Sequence, residues 1–134
     1  MKIIVLDACA VIAFLRAEPG FRTIRKLLSD EQNTCFLHAV NLCEVYYDFI
    51  KAEGLDVAEN AMHDLNSLPV GIRSDLDDSI WRTAGKLKAV LRISLADCFA
   101  IALAQKVSGE LITSDRKELA PLCDEGIFAI RFFR

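Results

Sequence analysis

The stretch Ile3-Ile4-Val5-Leu6-Asp7 gives this 134-residue chain a short, apolar and β-branched run that ends on a carboxylate. Such a run is typical of a buried strand in a parallel sheet. A helical pattern over 8–16 follows at once, so we expect Asp7 at the carboxyl end of a first strand. In open α/β sheets, ligands bind outside the carboxyl ends of the strands. Asp7 is therefore the first candidate functional residue.

Strand and helix patterns alternate along the rest of the chain. Further strands are predicted at 34–37, 70–72, 111–113 and 127–132, and further helices at 21–28, 42–53, 57–68, 79–91, 96–107 and 116–122. This alternation predicts an α/β fold with three layers (α/β/α) and a central parallel sheet of four or five strands. The length predicts a single domain over residues 1–134.

Composition excludes several classes of protein. Hydrophobic residues make up 53% of the chain, which argues against intrinsic disorder, and no apolar stretch is long enough to span a membrane. The five cysteines are scattered and form no CxxC pair, which argues against a zinc site and a thioredoxin-like motif. A cytoplasmic protein with reduced thiols is expected. The net charge of −3 gives no overall sign of nucleic-acid binding.

Three further acids occupy similar junctions, and each has an ordinary structural explanation. The segments fit helix-start capping patterns: Asn41-Leu-Cys-Glu44, Ser94-Leu-Ala-Asp97 and Asp115-Arg-Lys-Glu118. Taken singly, each acid is more simply a helix-start residue, favoured there by the helix dipole. Asp7 differs because no such pattern surrounds it, and Cys9 and Ala10 offer it no obvious polar partner. A charge at that depth needs pairing or a cation.

The structural and functional interpretations of these acids are compatible. Helices that begin at the carboxyl edge of a parallel sheet all point toward one crevice, so acids in their first turns face each other. Clustered carboxylates repel unless a cation is present, and hard ions such as Mg²⁺ or Mn²⁺ prefer oxygen ligands. The two histidines, His38 and His63, show no spacing typical of a zinc motif, and a structural role is favoured for both.

Four segments together resemble the PIN domain family: Ile3-Ile4-Val5-Leu6-Asp7, Asn41-Leu-Cys-Glu44, Ser94-Leu-Ala-Asp97-Cys-Phe-Ala-Ile-Ala and Leu111-Ile-Thr-Ser-Asp115. No one segment is specific, but the ordered set at these separations is much more so. In size and element order the chain is most similar to the VapC-type toxins of bacterial and archaeal toxin–antitoxin pairs. The resemblance covers essentially the whole chain and implies a PIN-like fold.

The resemblance also implies a Mg²⁺- or Mn²⁺-dependent ribonuclease site. Matched by position, its catalytic and metal-binding acids are Asp7, Glu44, Asp97 and Asp115, with Asp7 and Asp97 as the principal ligands. Thr113 matches a hydroxyl residue of the family that orients a ligand or contacts phosphate, and Ser114 beside it is a further supporting residue. The products implied are a 5′-phosphate and a 3′-hydroxyl.

Cys9 is a departure from the family, which often has Ser, Thr or Asn two residues after the first Asp. Since a thiol is a weak hydrogen-bond donor, support for Asp7 or for bound phosphate is expected to be weaker. The resemblance therefore implies a lower catalytic efficiency with an unchanged fold.

The expected partners follow from the same resemblance. They are an RNA substrate, an antitoxin peptide that covers the site, and a second copy of the chain in a homodimer. Arg116 and Lys117 are the best placed cations for phosphate, although a solvated helix face is the simpler explanation for them. Early helices also carry apolar residues beyond the needs of a small core, namely Phe14, Leu15, Tyr46, Tyr47, Phe49 and Ile50. Part of this surface is a candidate interface, with simple burial as the alternative.

Two other functions stay open. A phosphotransferase of the haloacid dehalogenase type would use Asp7 as nucleophile, but it needs a second Asp where Cys9 stands, so we rank it low. A non-catalytic PIN-like domain that binds RNA or a protein is the stronger alternative. Metal uptake and RNA cleavage distinguish it from a nuclease.

Overall fold

Five parallel strands form the centre of the molecule. In the computed structural model, which describes residues 1–134, they are β1 (Lys2–Leu6), β2 (Asn33–His38), β3 (Val70–Arg73), β4 (Glu110–Thr113) and β5 (Ile130–Phe132). All neighbouring strands pair in parallel, in the order β3-β2-β1-β4-β5. The predicted sheet is confirmed with five strands. β5 begins three residues later than predicted, because a turn at Gly126 (φ +70°) and the bend after it precede it.

Seven helices connect and follow the strands. They are α1 (Ala8–Leu15), α2 (Phe21–Ser29), α3 (Ala39–Glu53), α4 (Leu55–Asn66), α5 (Asp78–Val90), α6 (Leu95–Lys106) and α7 (Arg116–Asp124). All seven were predicted, and the bounds differ most at the start of α3, which begins three residues early at Ala39. No helix combines the length and apolar character needed to cross a membrane.

Two hydrophobic cores lie on opposite faces of the sheet and make the fold three-layered. Ile4 and Leu6 of β1 point into the first core, which is closed by α1, α2, α3 and α4. Val5 points the other way, into the core under α5, α6 and α7. This alternation is the period-2 geometry of a strand. A strand buried on both faces has no place for polar residues, which explains the uninterrupted apolar run that opens the sequence.

The chain reverses its direction of travel across the sheet next to β1. From β1 it moves outward on one side through β2 to β3, and β4 and β5 fill the other side. The gap above the carboxyl ends of β1 and β4 is therefore a topological switch point, where ligands of open α/β sheets bind. Asp7 directly follows β1, and its backbone N–H donates to the Ile112 carbonyl of β4 at 3.3 Å. Ser114 and Asp115 directly follow β4.

Part of the apolar surface predicted on the early helices is buried inside the protein. Phe49 is buried in the first core, and the guanidinium of Arg16 lies 4.3 Å from its ring centroid. Asp48 beside it forms a salt bridge with Arg16 at 2.8 Å, and its side chain stays 45% exposed. Tyr47 remains 48% exposed and is the main apolar side chain of this group left on the surface.

A close approach at Gly20 gives a testable prediction about the fold. Gly20 has φ +89°, and a Cβ there would lie 2.7 Å from the Phe133 ring and 2.8 Å from the Phe133 carbonyl oxygen. We expect Gly20→Ala to destabilise the protein by about 1–3 kcal/mol, because an L side chain is strained there. The matched control is Gly85→Ala inside α5, where nothing lies within 4 Å. That change should stabilise by roughly 0.5–1 kcal/mol. Urea unfolding measures both, and equal effects would contradict the prediction.

Candidate functional site

A cleft of about 260 Å³ lies above the carboxyl ends of β1 and β4, at the switch point of the sheet. It draws its lining from four separate parts of the chain: Asp7, Ala8, Cys9, Glu44, Ser94, Asp97, Ser114, Asp115 and Glu118. The four acids singled out from the sequence therefore meet in one cleft. A fifth acid, Glu118, joins them.

Asp7 is buried at 2% exposure and begins α1 as its N-cap. Its Oδ1 accepts hydrogen bonds from the Ala10 backbone N–H at 3.0 Å and from the Cys9 thiol at 2.9 Å. The expectation that Asp7 has no polar partner nearby is therefore wrong, because the first turn of α1 folds back over the carboxylate. Burial nevertheless raises the pKa of Asp7. The hydrogen bonds from Cys9, Thr113 and Ala10 oppose this rise, and the charge of Asp115 adds to it.

The thiol of Cys9 is part of the hydrogen-bond network around Asp7. It donates to Asp7, and its Sγ accepts from the backbone N–H and the hydroxyl of Ser114, both at 3.3 Å. Burial, with the charge of Asp7, raises the pKa of Cys9 to about 12. The thiol therefore stays protonated at neutral pH and acts as a donor rather than a nucleophile. Cys9 joins the ends of β1 and β4 much as a hydroxyl would.

Asp97, Asp115 and Glu118 bring one ligand oxygen each within 4.8 Å of the others. Asp97 lies in the first turn of α6, where its N–H donates to the hydroxyl of the N-cap Ser94 at 3.1 Å. Asp115 is the N-cap of α7 and accepts from the Glu118 N–H at 3.2 Å. Both helix-start interpretations are confirmed, and the same geometry points the acids at one another.

Crowding of negative charge is strongest at Asp97. Burial raises the pKa of its carboxyl to about 8, with further contributions from the charge of Asp7 and from Glu118 and Asp115. Without a cation, the folded protein thus holds a proton at this position near neutral pH. A carboxylic acid kept neutral by burial and like charges is typical of a functional site and is compatible with a positively charged ligand.

Glu44 lines the cleft from α3, but it does not lie at the helix-start position that the sequence predicts. The capping box at Asn41 is wrong, because α3 begins earlier, with His38 as its N-cap: His38 Nδ1 accepts from the Val40 N–H at 3.0 Å. Asn41 instead lies inside the first turn and donates through Nδ2 to Glu44 Oε1 at 3.2 Å. Burial raises the pKa of Glu44, and the hydrogen bond from Asn41 opposes that rise. His38 is fully buried and structural, as expected.

Comparison with known protein families matches residues 4–121 to the PIN domain. The chain belongs to the PIN domain family. The match includes all five acids of the cleft, so the resemblance seen in the ordered set of four segments is confirmed. No curated protein matches the chain.

Solved structures share the fold of this PIN domain. VapBC2 from Rickettsia felis, bound to a promoter DNA fragment, superposes with a TM-score of 0.76 at 17% identity over 98% of both chains. DNA-bound VapBC from Salmonella typhimurium gives 0.75 at 14% identity over 100% of both chains. VapC20 from Mycobacterium tuberculosis, a toxin described as cleaving the sarcin-ricin loop, gives 0.64 at 14% identity over 80% of this chain and 85% of that one.

Glu118 is the residue of the PIN domain cleft that sequence reasoning missed. It was noted only as the partner of Asp115 in a capping pattern. Its Oε2 accepts from the Ser94 backbone N–H at 3.3 Å, which joins the start of α6 to α7. The sequence spacing could have revealed it. Asp115 begins α7, so Glu118, about one turn later, lies on the same face of the helix.

The supporting residues proposed from the sequence fall into two groups. Thr113 is fully buried, and its hydroxyl accepts from the Asp115 N–H at 3.0 Å, while Ser114 lines the cleft. Arg116 and Lys117 are exposed and do not line it. Arg116 stacks 4.6 Å from the Phe132 ring centroid and donates from Nε to the Arg134 carbonyl at 2.9 Å.

The donor set of the cleft fits a divalent cation. None of its five acids is part of a salt bridge, although salt bridges form elsewhere on the molecule. Two of the acids, Asp7 and Asp97, are buried. Buried carboxylates without a positive partner are costly, and oxygen-rich sites of this kind suit Mg²⁺ or Mn²⁺.

Proposed function

We propose that this PIN domain is a divalent-metal-dependent endoribonuclease, with Mg²⁺ or Mn²⁺ as its cofactor and RNA as its substrate. The observation that carries the proposal is the convergence of Asp7, Glu44, Asp97 and Asp115 in one cleft with no cationic side chain paired to them. Nuclease activity is typical of the family. One of the similar structures is described as a toxin that cleaves the sarcin-ricin loop.

The cleft residues have different proposed roles in phosphodiester hydrolysis. Asp7 and Asp97 would be the principal metal ligands, Glu44 and Asp115 would complete the shell, and we propose Glu118 as a further ligand because it lines the same cleft. When bound, a divalent ion supplies charge neutralisation at the phosphate and lowers the pKa of a water. One of the peripheral carboxylates, Glu44 or Asp115, accepts the proton of the attacking water.

Residues around the acids fix their orientation. The Ala10 N–H and the Cys9 thiol hold the Asp7 carboxylate, and the Ser94 hydroxyl fixes the first turn of α6 below Asp97. Thr113 holds the backbone at Asp115. Its burial favours this positioning role over direct contact with phosphate. Ser114, at the cleft wall, remains the hydroxyl proposed to contact substrate.

We also propose that the protein is the toxin of a toxin–antitoxin pair. Several of the similar structures are VapBC or other toxin–antitoxin complexes, which supports an antitoxin as the binding partner. A homodimer is proposed from the family resemblance, with exposed Tyr47 as a candidate contact. The cytoplasm is the proposed location.

RNA cleavage with and without divalent ions tests the function. We expect the purified protein to cut a fluorescently labelled, partly single-stranded RNA in Mg²⁺ or Mn²⁺, and to stop on addition of EDTA. The cut ends should carry a 5′-phosphate and a 3′-hydroxyl. Cleavage that persists in EDTA would contradict the proposed site. Tight RNA binding without metal uptake or cleavage would favour the non-catalytic alternative.

A further inference from the structure

Asn41 connects two of the segments that supply the cleft acids. It is fully buried in the first turn of α3. Its Nδ2 donates to Glu44 Oε1 at 3.2 Å and to the Ala96 carbonyl of α6 at 3.3 Å. Ala96 directly precedes Asp97. A single amide group therefore contacts one site carboxylate and the backbone beside another.

The orientation of the Asn41 amide is fixed by the chemistry of its neighbours. Both partners, the Glu44 carboxylate and the Ala96 carbonyl, are acceptors, so only the NH₂ group of the amide is compatible with that position. The amide oxygen Oδ1 is left buried without a hydrogen-bond partner. An unsatisfied buried acceptor opposes folding, so the arrangement is not what stability alone would favour.

We propose that Asn41 is a positioning residue that fixes the Glu44 carboxylate against the start of α6 and so sets its place in the cation site relative to Asp97. The inference rests on the proposed function, since it concerns the same site. Groups that hydrogen-bond to metal ligands set their orientation, and their loss typically weakens metal binding about 10- to 100-fold. Asn41 lies outside the cleft lining and acts through Glu44 rather than on the substrate.

A double-mutant cycle in Mn²⁺ affinity, measured by calorimetry, tests the proposal. Asn41→Leu keeps the branched shape of the side chain, although it is larger, and removes both donor hydrogens. We expect it to weaken Mn²⁺ binding roughly 10-fold or more in the otherwise wild-type protein. In a Glu44→Ala background the same change should alter the affinity by less than about 3-fold, because the side chain that Asn41 holds is already gone.

Each result of the cycle has a definite meaning. An equal loss of affinity in both backgrounds means that Asn41 acts through the fold at large, which overturns the proposal. Unchanged affinity in Asn41→Leu overturns it too, while leaving the metal site intact. If the wild type binds no Mn²⁺, the proposed function itself fails. Should Asn41→Leu not fold, Asn41→Ser serves in the same cycle, since it retains one donor hydrogen and should give an intermediate loss.

Discussion

Asp97→Asn is expected to lower the rate of metal-dependent RNA cleavage by at least ~100-fold, since losing even an outer partner of a metal ligand costs about 10- to 100-fold. Asp97 is central to the cleft: its carboxyl lies close to those of Asp115 and Glu118, and the charge of Asp7 acts on it. The substitution keeps the size of the side chain and removes its charge. The loss should appear in single-turnover cleavage with saturating Mn²⁺, and more Mn²⁺ should restore only part of it.

The control for this prediction is Asp64→Asn, the same chemical change on an exposed position of α4 that lines no part of the cleft. It should cleave RNA at the wild-type rate. If Asp97→Asn also cleaves at that rate, the cation is not held where we propose. Circular dichroism and the unfolding temperature confirm that each variant is folded.

The metal-free protein is expected to lose stability as the pH rises from about 5 to about 8. The pKa of Asp97 is about 8 in the folded protein, against an ordinary value of 3.8, so the folded state keeps a proton that the unfolded chain releases. The free energy of unfolding therefore falls across this window. One pKa unit corresponds to about 1.4 kcal/mol, and we expect a total loss of roughly 2–4 kcal/mol.

Thermal unfolding in EDTA at several pH values measures this loss as a fall in Tm of about 10 °C. Mn²⁺ should restore the Tm at pH 8, because it binds only the folded state. Asp97→Asn should raise the Tm at pH 8 and flatten its dependence on pH, whereas Asp64→Asn should leave the slope unchanged. A metal-free wild type that is equally stable at pH 5 and pH 8 would contradict the charge crowding described for the cleft.

Asp75 and two buried cysteines, Cys35 and Cys98, also titrate with folding, but outside this pH range. The hydrogen bonds from Arg73 and Lys106 hold the pKa of Asp75 well below its usual range, so the stability it contributes is lost only below about pH 4. Burial raises the pKa of Cys35 and Cys98 above 9.0, so their effect falls at more alkaline pH.

Local sequence patterns predicted those parts of the site that depend on neighbours in the chain. Ser94 and Asp115 were identified as helix caps, and both are, because an N-cap bond spans only three residues. Asn41 was misassigned for the same reason: the pattern Asn41-Leu-Cys-Glu44 is a valid capping box, but His38 starts the helix earlier. Asp7 was expected to lack polar partners, since no pattern predicts a thiol donor two residues on.

The amino-acid sequence was enough to predict the alternation of strands and helices, the doubly buried β1, and the positions of Asp7, Asp97 and Asp115 at the starts of helices. These follow from periodicity and chain direction, which are local properties. Only the tertiary structure decided that the switch point lies beside β1, that Glu118 joins the cleft, and that Asn41 links α3 to α6. Strand order and packing bring together residues 55 positions apart, as in the bond from Asn41 to Ala96. The raised pKa of Asp97 also depends on the tertiary structure, because its first cause is burial and its second is the charge of acids from separate segments.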